Sequence, residues 1–225
     1  LREEILAAFL DHLPEELRPE ARRLFLPEKL DRDQYIFIEQ DEAAHLYLVE
    51  EGVIEINLVH GDGKVYVINF LHPGDIFGES ALLDEAVHPY SASARESSLV
   101  WRIARGDLRR LVEKDGGFAL FLLARLAEKM ERAYFKERCI VGERVEKRVA
   151  CILLKMVNET GISHKCGQII DLPLTNRDIA GLVGSTEETV SRIMSRLKKE
   201  EIITTEDRMV VVKDRKALLR YFDGL

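Results

Sequence analysis

Residues 175–197 read TNRDIAGLVGSTEETVSRIMSRL, and their spacing predicts two short helices joined by a tight turn. Thr175 is placed to cap the first helix, with Asp178 three residues on to complete a capping box. Ile179 and Val183 fall on one helical face, and Ala180 is small where a second helix must cross closely. Gly184 gives the turn a backbone that other residues resist. Ser185 reads as the cap of the second helix, whose apolar stripe is Val190, Ile193, Met194 and Leu197. This is the pattern of a helix-turn-helix. The segment 202–214, IITTEDRMVVVKD, reads as a strand pair turned at Asp207 and Arg208. A hairpin in that place makes the arrangement winged, which is far more specific than the helix pair alone.

The polar face of the second helix carries Glu188, Ser191, Arg192, Ser195 and Lys199, with Glu187 beside Glu188 in the first turn. Arg192 has the fork geometry to take guanine O6 and N7 together in a major groove. Glu188 lies one turn earlier and can hold Arg192 in position or accept from cytosine N4. It also completes a Ser185-x-x-Glu188 capping box, so two roles stay open for one carboxylate. Thr175, Asn176, Ser185 and Thr186 sit at helix starts, where hydroxyls and backbone N–H groups meet phosphates. The two acids suit the positive end of the helix macrodipole. The cations that attract phosphate come later, at Arg196, Lys198 and Lys199.

Upstream, a helix from Glu143 to about Asn158 opens this domain, and a loop over ETGISHKCGQ leads to a strand in IIDL. Before it, residues from about 116 keep a helical period with Gly142 as a hinge. Leu123, Leu126, Met130, Ala133 and Ile140 recur at steps of three and four, a seam suited to a parallel homodimer. From about 28 to 104 the texture is different. Short apolar, aromatic or β-branched runs alternate with Glu51-Gly52, Gly61-Asp62-Gly63 and Pro73-Gly74-Asp75 turns, which implies an antiparallel β domain. Residues 1–25 read as short helices broken at Pro14 and Pro19, and Asp107 as the cap of LRRLVEK. The fold class is therefore α+β, with a β-roll domain over 1–115, a dimerisation helix over 116–142 and a winged helix-turn-helix over 143–225.

The bulk numbers fit two domains with different partners. The 225 residues carry a net charge of −7, with 46% hydrophobic and 32% charged residues. That charge is uneven: residues 143–225 hold 15 Lys+Arg against 13 Asp+Glu, leaving 18 against 27 for residues 1–142. No apolar run is long enough to cross a bilayer. The N-terminus lacks the basic flank of a signal peptide, so a cytoplasmic protein without membrane partners is expected. Cys139, Cys151 and Cys166 fit neither a disulfide framework nor a zinc site and read as reduced thiols; a redox switch on Cys139 alone has little support. No nucleophile–base pair, metal-ligand spacing or phosphate-cradling glycine loop suggests an enzyme.

Taken together, LYLVEEGVIEI, GKVYVINFLHPGDIFGE and the 175–197 segment resemble the Crp/Fnr family of bacterial transcription regulators, in the family's order and spacing. The resemblance implies a homodimer on a palindromic operator, an effector in the roll, and an RNA polymerase contact. Glu188, Ser191 and Arg192 match the Fnr-like version of the recognition helix, which implies a TTGA-like half-site. Glu187 stands where the cyclic-AMP receptor branch has an arginine, so the outermost base is the open one.

The sensor end matches less well. The family's cyclic-nucleotide cassette runs Gly-Glu, then about ten residues, then Arg-Ser/Thr-Ala. Gly78-Glu79 is present, but the later segment is DEAVHPYSASA, with Pro89 or Tyr90 where the arginine belongs. Burying a phosphate without a cation is costly, which argues against cyclic AMP unless Arg95 or a long-helix residue compensates. An Fnr-type iron–sulfur cluster lacks its N-terminal cysteines. Haem stays open: His45, His60, His72 and His88 lie in the roll, each reading individually as an exposed loop residue, with His72 or His88 as the iron ligand. The resemblance places an effector pocket at Gly78, Glu79, Ser80, His88, Tyr90, Ser91 and Tyr134. The alternatives are a haem-dependent nitric oxide or carbon monoxide sensor of the same family, or a cyclic-nucleotide module acting on a partner protein.

Overall fold

The structure, a computed structural model, describes residues 3–59, 61 and 65–223, with side chains to residue 220. His60 and the Asp62-Gly63 part of the expected turn lie outside the described residues. The chain divides into two compact units, residues 1–131 and 132–225.

The first unit opens with α1 (Glu4–Leu10) and α2 (Arg18–Leu24). Pro19 does not break a helix as expected; it sits in the first turn of α2, where its fixed φ is already helical and no N–H is needed. Eight strands follow: β1 (Leu26–Leu30), β2 (Tyr35–Phe37), β3 (His45–Glu51), β4 (Ile54–Val59), β5 (Val65–Leu71), β6 (Ile76–Phe77), β7 (Ser91–Ala94) and β8 (Ser98–Ala104). They form two antiparallel four-stranded sheets, ordered β1-β8-β3-β6 and β2-β7-β4-β5. Val49, Ile54, Phe77, Ala92 and Val100 fill one core. Gly52 turns the β3–β4 hairpin at φ 82°; a Cβ there would meet Ser98 Oγ at 2.3 Å, so only glycine fits.

A second core lies under the helices. Leu6, Phe9, Leu13 and Phe25 pack with Trp101, Ile103, Leu108, Phe118 and Leu122. Phe9 makes edge contacts with Phe25, Phe118 and Phe121 at ring separations of 5.3–5.9 Å, a geometry aromatic rings favour. Asp107 is not the cap of α3 (Arg105–Lys114); it is the third residue and pairs with Arg110 instead. The helix starts earlier because Arg105 N is held by Ala44 O at 2.9 Å.

Helix α4 runs from Gly116 to Gly142. Phe118 and Leu122 are buried, whereas Leu123 is 60% and Met130 54% exposed. Among the proposed seam residues, Leu126 packs partly against the helical core and Ala133 is exposed.

The second unit continues with α5 (Val145–Thr160), β9 (Gly161–His164), β10 (Gly167–Ile170), α6 (Asn176–Val183), α7 (Glu187–Lys199), β11 (Ile203–Glu206), β12 (Met209–Val212) and α8 (Arg215–Asp223). The sheet order is β11-β12-β10-β9. The expected loop over ETGISHKCGQ is mostly a hairpin, with Gly167 opposite His164. A Cβ on Gly167 would come 2.1 Å from Val212 O, so the close approach of β12 depends on that glycine.

Candidate nucleic-acid interface and effector site

The first helix of the pair starts as its sequence dictates. Thr175 Oγ1 accepts from Asp178 N at 3.1 Å, and Asp178 Oδ2 accepts from Thr175 N at 2.9 Å, a complete capping box. Ile179, Ala180, Leu182 and Val183 are buried. Gly184 ends the helix at φ 61°, and Ser185 N donates to Ala180 O at 2.9 Å, which satisfies a terminal carbonyl. Arg148 on α5 adds a tie no local pattern revealed: its Nη1 donates to Val183 O at 2.7 Å and Gly184 O at 3.3 Å. Ile140, placed in the seam by its spacing, lies 3.6 Å from where a Gly184 Cβ would stand.

The cap of α7 is Thr186, not Ser185. Its Oγ1 accepts from Thr189 N at 3.2 Å, so the expected Ser185–Glu188 capping box does not form. The helix begins one residue later than that box requires, because adjacent hydroxyls compete for one role and Thr186 has the extended φ of an N-cap. Val190, Ile193, Met194 and Leu197 are buried as a stripe, which leaves Glu187, Glu188, Arg192, Ser195 and Lys199 exposed and Ser191 half-buried. Asn176 is half-buried at the start of α6.

Two contacts on this face differ from the sequence reading. Arg192 Nη2 donates to Thr189 Oγ1 at 3.5 Å, and no Glu188–Arg192 ion pair forms among the described residues. Helical side chains lean toward the N-terminus onto the preceding turn, and the hydroxyl three residues back meets the guanidinium first. Glu187, whose role was open, lies 3.5 Å from Arg177 Nε on α6. It joins the two helices at their polar ends. The wing turns at Asp207 (φ 49°) and Arg208 (φ 68°), the two-residue hairpin geometry with both central residues left-handed. Arg208 O accepts from Leu174 N at 3.2 Å.

In the first unit, Gly78 has φ 74°, and a Cβ there would stand 2.7 Å from His45 O. That turn delivers Glu79 to a pair of donors: Lys129 Nζ at 2.7 Å and the Tyr90 hydroxyl at 3.0 Å. Gly78 N in turn donates to the Tyr90 oxygen at 3.4 Å. Burial by itself raises the Glu79 carboxyl, but the charge and hydrogen bond of Lys129, with Tyr90, outweigh it and hold the group below its ordinary value. Burial, then the Glu79 charge, pushes the Tyr90 hydroxyl up. Arg95 faces Glu55 at 3.2 Å.

Of the other residues assigned to this pocket, Ser91 is buried and accepts from Glu39 N at 2.9 Å, and Ser80 is half-buried in the 3-10 turn Glu79–Leu82. Tyr134 belongs to the second unit and is 60% exposed. His88 is not an exposed loop residue: it is 1% exposed, and its ring lies flat on Phe37 at 3.5 Å. Burial lowers its pKa, so it packs as a neutral ring. His72 N donates to Asp75 Oδ2 at 3.0 Å in the β5–β6 turn, and among the described residues no three His, Cys, Asp or Glu side chains gather as a metal site.

Both halves match known families. Residues 27–115 match the cyclic nucleotide-binding domain and residues 147–221 the Crp-like helix-turn-helix domain. The transcriptional regulator LdrP of Thermus thermophilus is 31% identical over 84% of this chain and 93% of its own. The chain belongs to the Crp/Fnr family.

It is an effector-responsive, DNA-binding transcription regulator; Crp/Fnr members are not enzymes. A protein named cyclic AMP receptor protein, also from Thermus thermophilus, is 30% identical over 84% of this chain and 85% of its own. Among solved structures, FixK2 from Bradyrhizobium japonicum superposes with a TM-score of 0.74 at 27% identity, covering 88% of this chain and 96% of that one. No described helix is long and apolar enough to cross a membrane. Within this Crp/Fnr chain, local spacing pointed to the capping box and the buried stripe of α7. It missed Lys129, Arg148, Arg177 and Thr189. Only Thr189 had a local signal, its place three residues before Arg192.

Proposed function

We propose that the chain acts as a homodimer that reads a palindromic operator of TTGA-like half-sites. The observation that carries this reading is the array of exposed Glu188 and Arg192 with half-buried Ser191 on α7, above a stripe buried against the rest of the second unit. Arg192 has the donors for guanine, Glu188 the acceptor for cytosine, and Ser191 reaches a neighbouring base pair. Thr175, Asn176, Ser185, Thr186, Ser195 and Lys199 surround them with phosphate partners. The exposed Leu123 and Met130 support a dimer seam along α4, since a stripe of this kind is covered by a second helix. In the roll, the Glu79 oxygen that accepts from Lys129 and Tyr90 is already engaged, and Pro89 and Tyr90 stand where a phosphate would need a cation. Both features favour an effector other than cyclic AMP, although several relatives are named for binding or being activated by it. His88, packed on Phe37, gives no support to haem.

The test is a gel shift at several salt concentrations. The probe carries two inverted TTGA half-sites centred about one helical turn apart, against a duplex with both half-sites scrambled. Specific retention that weakens with salt is expected, with or without added effectors. Equal retention of both duplexes under every condition overturns the operator reading.

A further inference from the structure

Two cysteines meet at the joint between α4 and α5. Cys139 lies in the last turn of α4 and Cys151 in the second turn of α5; both are half-buried, whereas Cys166 is exposed. The two thiols are close enough for Cys139 to perturb Cys151 electrostatically. They line one cavity of about 300 Å³, together with Arg138, Gly142, Lys147 and Arg148. The joint itself is short. Glu143 and Arg144 are non-helical, and nothing stands within 4 Å of a Cβ built on Gly142.

We propose that Cys139 and Cys151 form a reversible disulfide within one chain, made by hydrogen peroxide, that fixes the α4–α5 joint. Thiols that line one cavity beside a joint with non-helical residues reach the ~2.05 Å S–S separation by side-chain rotation. The chemistry balances. The Cys139 thiolate attacks one peroxide oxygen, an S–O bond forms, the O–O bond breaks, and hydroxide leaves to take a proton as water. The Cys151 sulfur then attacks the sulfenic sulfur; the S–S bond forms, the S–O bond breaks, and the second hydroxide leaves with the Cys151 proton. Two electrons pass from the sulfurs to the peroxide, giving one disulfide and two waters.

The order of the two thiols follows from their surroundings. Burial, with the neighbouring Cys139 adding to it, pushes the Cys151 thiol up to about 11, so Cys151 stays protonated at neutral pH and acts second. Cys139, in the last turn of α4, therefore meets the peroxide first. A small dithiol reverses the bond by exchange.

The joint is connected to the DNA-reading end. Cys151 lies three residues after Arg148 and shares its face of α5. Arg148 in turn holds the Val183 and Gly184 carbonyls, at the turn that sets α7. Fixing the joint therefore acts on the recognition helix, and this consequence rests on the proposed operator reading.

The experiment treats the full chain with hydrogen peroxide, blocks remaining thiols and maps peptides without reduction. A Cys139–Cys151 linked peptide is expected, with two thiols lost per chain and recovered with dithiothreitol, and Cys166→Ser should behave identically. Separate blocking of both cysteines after peroxide, a link between chains, or a bond that uses Cys166 overturns the proposal. This mapping uses the unsubstituted protein, so it decides the matter even if Cys151→Ser folds poorly. On the operator duplex, oxidation should change the apparent Kd at least about fivefold, the lower range of ordinary coupling between sites. That change should vanish in Cys151→Ser. A disulfide that forms without altering affinity overturns the role at the joint. No binding in either redox state counts against the operator reading alone, because the mapping stands apart from it.

Discussion

Lys129 Nζ lies 2.7 Å from Glu79 Oε2, so α4 is joined to the turn after β6 by an ion pair inside the first unit. Both side chains are under a third exposed, between the exposed pairs that contribute little and the buried ones that cannot lose a partner. The Glu79 carboxyl is held below its ordinary value because Lys129 and Tyr90 overcome the effect of burial. A carboxyl depressed by folding contributes stability above its unfolded pKa of about 4.3 and loses that contribution as pH falls through the lower folded value. Lys129→Met should therefore destabilise the first unit at pH 7 by roughly 1–2 kcal/mol. The difference from the unsubstituted chain should close in acid, once Glu79 is protonated. Urea unfolding at both pH values checks this; a gap that persists in acid means that the Lys129 stem, rather than the ion pair, carries the effect.

Glu50 is 3% exposed, and its carboxylate serves three donors. Oε1 accepts from Ile5 N at 2.9 Å; Oε2 accepts from Leu6 N at 2.9 Å and Trp101 Nε1 at 2.8 Å. The side chain from β3 thus satisfies the start of α1, where backbone donors have no helical partner. Glu50→Ala removes the acceptor and leaves buried donors unmet, at about 1–3 kcal/mol for each group fully orphaned. A loss of roughly 2–4 kcal/mol is expected, within the range of broken buried networks. Amide exchange should show α1 losing protection first; uniform protection across the first unit would contradict the pinning role.

The parts of the molecule legible in the sequence are those built by contacts a few residues apart. The Thr175–Asp178 box, the Gly184 turn and the stripe from Val190 to Leu197 all follow from helical period and cap chemistry. Where two neighbouring residues offered the same chemistry, as Ser185 and Thr186 do, spacing alone left a one-residue error. The contacts that were missed join distant segments: Glu79 to Lys129, Glu50 to Trp101, and Arg148 to the Val183 carbonyl. A backbone carbonyl as a partner leaves no trace in side-chain patterns. His88 beside Pro89 has the local look of a loop, and only the folded sheet brings Phe37 under its ring.

Among the described residues Arg192 reaches only Thr189, at 3.5 Å, so its guanidinium is loosely held before any base is met. Arg192→Ala should weaken operator binding by roughly 1–3 kcal/mol and relax selectivity at a single base pair. Competition with duplexes altered one position at a time measures both. A loss spread evenly over all duplexes would assign Arg192 to phosphate instead of a base.

Glu187 and Arg177 stand 3.5 Å apart, with both side chains more than half exposed. Their mutual attraction is therefore small in stability, but it lies at the polar ends of the two helices expected to face DNA. There the carboxylate has two effects on a polyanion: it repels phosphate directly, and it occupies a guanidinium otherwise available to phosphate. Glu187→Gln removes both effects while keeping the side-chain length. Nonspecific affinity should rise, and the salt dependence should steepen by about one unit of slope, the signature of one added phosphate contact. Arg177→Ala in the same background should return the slope to its original value. If Glu187→Gln instead leaves the slope unchanged and alters preference at the outermost base of the half-site, Glu187 reads sequence, and its contact with Arg177 only parks it while DNA is absent.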